Sequence, residues 1–160
     1  MVRSVRGLPI LLLLAALTGA GCQRFGEAQE AAVRGEIERD VTSYLTRLSE
    51  AYTRQEPERL REVAVEKEIS GVARRLDDLA REGRRLEATL REMTVEETEI
   101  WNYSNAFVTT VEVWDLRVFP MGSETLLSES LGQKNRVQYQ LKKEDGQWWV
   151  LFRQIKETFE

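Results

Sequence analysis

Few side chains in this chain could perform chemistry. Glu112 and Asp115 sit close together in a β-rich run, and Tyr44, Tyr103 and Tyr139 could donate protons. A carboxylate of raised pKa beside a tyrosine is what an isomerase or dehydratase needs. No motif joins these five residues, and the ordinary reading of Glu112 and Asp115 is a solvated strand charge. Histidine is absent throughout. That removes Ser-His-Asp, Cys-His and histidine-ligated zinc chemistry. No glycine-rich phosphate loop occurs, and neither cofactor nor metal is expected. The leading expectation is a non-catalytic binding or scaffold protein. An isomerase- or dehydratase-like enzyme and a coiled-coil oligomerisation protein are the alternatives.

One residue is placed for covalent modification: Cys22, the only cysteine. Arg3 and Arg6 precede the apolar run Leu8–Leu17. That run is too short to span a bilayer as a helix, which takes about 20 residues. It suits the core of an export signal, and Gly19-Ala20-Gly21 supplies the small residues of a cut site. The layout resembles a bacterial lipoprotein signal, which implies loss of residues 1–21 and a diacylglyceryl group on Cys22. Gly19 stands where that signal usually has leucine, with Leu17 two residues early. Gln23 is not the aspartate that resembles an inner-membrane retention signal. The resemblance therefore implies a periplasm-facing lipoprotein, with the outer membrane favoured. Residues 22–30 read as a lipidated tether, whose polar part, 23–29, reaches about 25 Å when extended. Residues 31–160 read as one domain.

Charge narrows the partners. The chain has 23 Lys and Arg against 27 Asp and Glu. Removing the segment before Cys22 takes two of the basic residues and leaves a balance of −6. Nucleic-acid binding normally shows a basic stripe instead. Membrane attachment must then come from lipid, and the short tether keeps a partner or apolar ligand near the membrane surface: another envelope protein, lipid or cell-wall material. With one cysteine, no disulfide framework can support the fold.

The elements that must position these residues follow from periodicity. Val33, Ile37, Val41, Tyr44, Leu45, Leu48, Ala51 and Tyr52 recur at helical spacing, predicting a helix over about 31–52. Pro57 suits the first turn of a second helix carrying Leu60 and Val63. From Val65 to Met93 apolar residues alternate four and three apart, the pattern of a coiled-coil seam. Gly83 interrupts the seam and suits a helix C-terminus. Helix to about Glu82, then turn, then strand is the preferred reading. The parity switch between Leu90 and Met93 predicts a bulge near Arg91-Glu92. Asn102–Asn105 reads as a turn, Phe107–Phe119 as the richest strand, and Met121–Gln133 as a polar loop. Asp145-Gly146 is a strong hairpin signal. It pairs Lys143 with Trp148, Leu141 with Val150 and Tyr139 with Phe152. The core face then carries Val137, Tyr139, Leu141, Trp148, Val150 and Phe152. The other face carries Gln138, Gln140, Lys142, Trp149, Leu151 and Ile155, and its last strand is expected to be partly covered.

Helices followed by a long curved antiparallel sheet of about four strands make an α+β fold. Three stretches carry a resemblance to the nuclear transport factor 2-like superfamily, the cone-shaped α+β fold. They are Ala51–Leu60, Phe107–Asp115, and Tyr139–Leu141 with Asp145–Val150. The Glu112–Asp115 strand resembles most closely the domain shared by cyanobacterial and chloroplast division proteins. That fold hosts both enzymes and partner binders, so the resemblance implies architecture before activity. Phe107, Trp114, Tyr139 and Trp148 could line a pocket, though core packing is expected of Phe107, Tyr139 and Trp148. Trp101, Tyr103 and Trp149 are the candidate partner-binding residues, because a loop end and the back of the sheet expose aromatics. Exposed aromatics are enriched where proteins meet partners.

Lipidation makes a direct prediction. Cys22→Ser should abolish radioactive palmitate labelling of the protein in cells and block its processing or release it from membranes. Equal label on the two proteins rejects the assignment.

Overall fold

The structure, a computed structural model, describes residues 19–159, with side chains from residue 26 onward. The expected signal core and the Cys22 side chain lie outside the described residues. The chain divides into two units, Met1–Ala32 and Val33–Glu160, and the second carries the fold described below.

The element order is α1 (Gly19–Arg54), a 3-10 turn (Pro57–Leu60), α2 (Glu66–Arg81), then β1 (Arg84–Trp101), β2 (Asn105–Pro120), β3 (Ser128–Glu144) and β4 (Gln147–Phe159). The four strands form one antiparallel meander in the order β1-β2-β3-β4. Helices packed on this open sheet give the expected α+β cone. Every apolar residue assigned to the inner face of α1 is buried, from Val33 to Tyr52. They meet Ala106 and Val108 of β2, Val137 and Leu141 of β3, and Trp148 and Val150 of β4 in one core. Among the described residues no helix is long and apolar enough to cross a membrane.

Several expectations change. Residues 22–30 belong to α1 rather than to an extended tether. At about 1.5 Å per helical residue, 23–29 covers roughly 10 Å. The coiled-coil reading fails because α2 stops at Arg81 and Gly83 adopts φ +69°, a conformation costly for any residue with a Cβ. Beyond Gly83 the apolar series continues as strand, and Leu86, Leu90 and Met93 pack on the core. The parity switch is the expected bulge, between Leu90 and Glu92, and a second follows between Val95 and Glu97. Pro57 opens only the 3-10 turn. Val63–Val65 does not continue it as helix, because the edge of β4 draws this segment out. Val150 N–H donates to the Val63 carbonyl and Val65 N–H to the Val150 carbonyl, both at 3.0 Å. The loop after β2 is also shorter than expected. β3 starts at Ser128, and the Asp115 carboxylate accepts the Gly132 N–H at 2.9 Å across an irregularity in the ladder.

The final hairpin turns at Asp145-Gly146, with φ of 50° and 83°, as two-residue hairpins of this type require. Lys143 pairs with Trp148 and Leu141 with Val150, but Tyr139 faces Arg153, not Phe152. An extra residue between Gln140 and Leu141 on the β4 side shifts the register. Phe152 thereby leaves the core face for an exposed position, 43% accessible, and Arg153 takes its place. No element covers the far side of β4 among the described residues; Trp149 and Leu151 are half-buried there. Phe107, expected in the core, is half-buried on the same outer face.

Both outer strands have their backbone edges capped by side chains. On β1, the Thr98, Ala88 and Leu86 carbonyls accept from Arg34 (2.8 Å), Ser49 (2.5 Å) and Gln55 (3.4 Å). On β4, the N–H groups of Trp148 and Arg153 donate to Asp40 (3.0 Å) and Glu68 (3.3 Å). Donors from α1 and from Gln55 just beyond it thus meet edge carbonyls, and carboxylates from α1 and α2 meet edge amides.

Trp148 is 1% exposed at the centre of this packing. Trp148→Ala should cost about 3–5 kcal/mol, the range for truncating a buried large aromatic. Denaturant melts measure it, and a loss below about 1 kcal/mol would contradict the observed packing.

Candidate functional site

The β4 bulge builds the most distinctive chemistry in the molecule. It turns Arg153 inward beside Tyr139, opposite Glu112 on β2. Glu112 has no exposed surface. Its Oε1 accepts from Thr110 Oγ1 at 3.1 Å and from the Tyr139 hydroxyl. Its Oε2 accepts from Trp114 Nε1 at 2.8 Å and from Arg153 Nη2 at 2.6 Å. Arg153 Nε also donates to the Tyr139 oxygen at 3.2 Å. One layer out, the Tyr44 hydroxyl donates to Glu68 at 2.7 Å, and the same carboxylate holds the Arg153 backbone N–H. Tyr44 and Tyr139 meet edge to face, centroids 5.9 Å apart. All six major elements except β1 contribute to this network.

A carboxylate offers about four acceptor sites, and four donors occupy those of Glu112. Desolvation alone would lower the Arg153 pKa, but the neighbouring Tyr139, Glu112 and Tyr44 oxygens more than offset it, and it rises. Burial pushes both tyrosines well above the ordinary phenol value, with Glu68 adding to the effect at Tyr44 and Glu112 at Tyr139. The network therefore holds protons tightly and presents no vacant lone pair on Glu112.

Of the five residues considered for acid–base work, the structure brings Glu112, Tyr139 and Tyr44 together. Glu112 is the reverse of a solvated strand charge. Asp115 is separate: it binds Arg91 at 2.5 Å and the Gly132 N–H. The Gly132 bond, aided by Arg91, holds its carboxyl below the usual range despite burial. Tyr103 lies in the β1–β2 turn, 49% exposed. Sequence periodicity missed Arg153 because strict alternation places it on the outer face. The only available signal was Phe-Arg-Gln-Ile, where the apolar alternation of the strand breaks. Among the described residues no group of acids could hold a metal ion.

A cleft of about 370 Å³ opens beside this network. Tyr44, Leu48 and Tyr52 of α1 line it, with α2 as one wall and Phe152–Ile155 of β4 as the other. Its volume falls in the ordinary ligand-site range of about 300–1,000 Å³. A smaller hollow, about 90 Å³, adjoins it past Arg75 and Arg153 and reaches Trp114.

The outer face of the sheet offers a second surface. Trp101 pairs with Asn105, Asn105 with Lys142 and Lys142 with Trp149. Residues opposite one another share a face, so Trp101 and Trp149 lie in one cross-strand row. Three strand spacings separate them by about 14 Å. The next row runs Glu99, Phe107, Gln140 and Phe152. Trp101 packs edge to face on Phe107, centroids 4.9 Å apart, and remains 41% exposed. Trp149 is half-buried, less open than expected.

Comparison with known proteins fits this geometry. The family model described as ARC6-like, IMS domain matches residues 48–150. A crystal structure of the intermembrane space region of the chloroplast protein ARC6 superposes with a TM-score of 0.64 at 16% identity, covering 74% of this chain and 92% of that one. A periplasmic fragment of TraM gives a TM-score of 0.53 at 14% identity, covering 74% and 96%. A structure from Catenulispora acidiphila gives 0.51 at 11% identity, covering 80% and 93%. At these identities the structures share the fold. No curated protein matches the chain.

The raised tyrosines set a pH limit. In the unfolded chain both phenols ionise near 10.0, whereas in the folded chain they resist. The stability they support is complete below that pH and is lost as pH rises through their folded values. The denaturant midpoint should therefore fall as pH is raised past 10.0, less steeply for Tyr44→Phe and Tyr139→Phe. Tyrosinate absorbance appearing for every tyrosine at its ordinary pH, with no loss of stability, contradicts this.

Proposed function

The chain belongs to the ARC6-like, IMS domain family, and from that premise we propose that it is a non-catalytic binding or scaffold domain of the cell envelope. Its anchor is lipid on Cys22, on the periplasmic side, with the outer membrane favoured. One observation carries the non-catalytic part. Glu112, the carboxylate deepest in the interior, has its acceptor sites filled by Thr110, Tyr139, Trp114 and Arg153. A general base needs a free lone pair within reach of the substrate, and freeing one here breaks a buried ion pair. The network is better suited to holding three strands in register than to turning over a substrate.

The binding part rests on the outer face. Trp101 and Trp149 stand in one row with Phe107 and Phe152 beside them, and the turn residue Tyr103 extends the surface at its end. Rigid aromatics of this kind, framed by Asn105, Gln140 and Lys142, supply large contact area with polar handles at low entropic cost. The compartments named for two structural relatives, an intermembrane space and a periplasm, support a role facing the envelope. An envelope protein or apolar ligand is the partner this surface suits.

Photoreactive residues placed in cells at Trp101, Tyr103 and Trp149, one at a time, should each give an adduct. Glu38, exposed on α1, is the control. Adducts from the control alone move the binding surface to the helix and overturn the assignment, as does the absence of adducts anywhere.

A further inference from the structure

The cleft between α2 and β4 has features that the aromatic face does not explain. Its walls carry Lys67, Arg74, Arg75 and Arg153, against one acid, Glu68. Glu68 is committed to Tyr44 and to the Arg153 backbone, and Arg153 to Glu112. Lys67, Arg74 and Arg75 are exposed and form no ion pair among the described residues. Most cations among the described residues do otherwise: Arg47, Arg59, Arg81, Arg85, Arg136 and Lys143, for example, pair with carboxylates. Three unpaired cations therefore line one cleft whose single lining acid is already committed, in a chain of net charge −4.

The cleft floor is also a strand edge. At Val150 this edge already accepts an added strand, because Val63–Val65 pairs with it in parallel. At Arg153 the outward N–H is held by Glu68. Outward-facing groups recur every second residue along an antiparallel edge, so the next are those of Ile155. Ile155 lines the cleft, is 40% exposed, and no described residue bonds its outward backbone. An edge in this state is a template for another chain, and main-chain pairing with an extended peptide is a known mode of recognition.

We propose that the cleft between α2 and β4 receives an extended, acid-rich segment of a partner protein, which adds to the β4 edge at Ile155. Carboxylates of the segment meet Lys67, Arg74 and Arg75 on the α2 wall. Alternate apolar side chains, which a strand presents at every second residue, rest on Ile155 and Tyr52. This names a second contact for the partner and rests on the reading of the protein as a binding domain.

Random peptides displayed on phage and selected on the immobilised full chain test the idea. The enriched peptides should alternate Asp or Glu with apolar residues. Combined Arg74→Glu and Arg75→Glu should weaken them by about tenfold or more, as charge reversal at a contact does. Both arginines are exposed and unpaired, so the variant should melt with the wild type. N-methylating alternate backbone nitrogens of the best peptide should weaken it similarly on the unaltered protein, a test that needs no variant. Peptides without acids, or peptides indifferent to either change, overturn the proposal. Binding that responds to Trp101→Ala and not to the arginines also overturns it, while leaving the binding-domain reading intact. No enrichment at all overturns both.

Discussion

The buried pair of Glu112 and Arg153 is the constraint on which the rest of the interior depends. Removing two charges from water costs several kcal/mol per ion, and their attraction repays this only if the remaining lone pairs and protons are also satisfied. The neighbourhood is built to that requirement. β2 supplies Thr110 and Trp114 alongside the acid, β3 supplies Tyr139, and β4 bulges to deliver the guanidinium. α1 and α2 add Tyr44 and Glu68, which fix the strand carrying Arg153. A register slip of one residue on β4 would restore Phe152 to the core but strand Glu112 without its counter-ion. Burial of one face already opposes such slips, and this network adds the cost of an uncompensated buried charge.

The same constraint explains what could and could not be read from the sequence. Helical spacing identified the buried face of α1 down to individual residues, because a single helix against a sheet has one repeat to obey. Gly83 was legible as a helix end, since a positive φ there suits glycine, and the parity switch at Leu90–Met93 located a bulge. Asp145-Gly146 fixed the hairpin and its first pairs. The β4 bulge was not legible, because the broken alternation at Phe152–Ile155 does not by itself place an extra residue at Leu151. Its benefit is realised 41 residues away at Glu112. The same holds for Val63–Val65, which reads as a continuing helix and becomes strand-like only because β4 lies alongside. Asn102 and Tyr103, with φ of 52° and 53°, show that a turn can be recognised without showing which side chains it will expose.

The candidate surfaces divide in the same way. Trp101 and Tyr103 were visible because a turn between two apolar runs must be exposed. Their alignment with Trp149 required the register of all four strands. The cationic cleft could not be seen at all, because Lys67, Arg74 and Arg75 look like the ordinary solvated side of a helix. What distinguishes them is that none is engaged in an ion pair where they line the cleft, a property of the folded chain.

The capped strand edges bear on how the protein behaves in numbers. A bare β edge is a template on which a second copy can pair. Here Arg34, Ser49 and Gln55 cap three carbonyls of one edge, and Asp40, Glu68 and the Val63–Val65 segment occupy the other at Trp148, Arg153 and Val150. At Ile155, which is left open, the facing α2 wall carries Lys67, Arg74 and Arg75. Two copies joining there would bring Lys67, Arg74 and Arg75 of each together, so the cations that suit an acidic segment oppose pairing between copies.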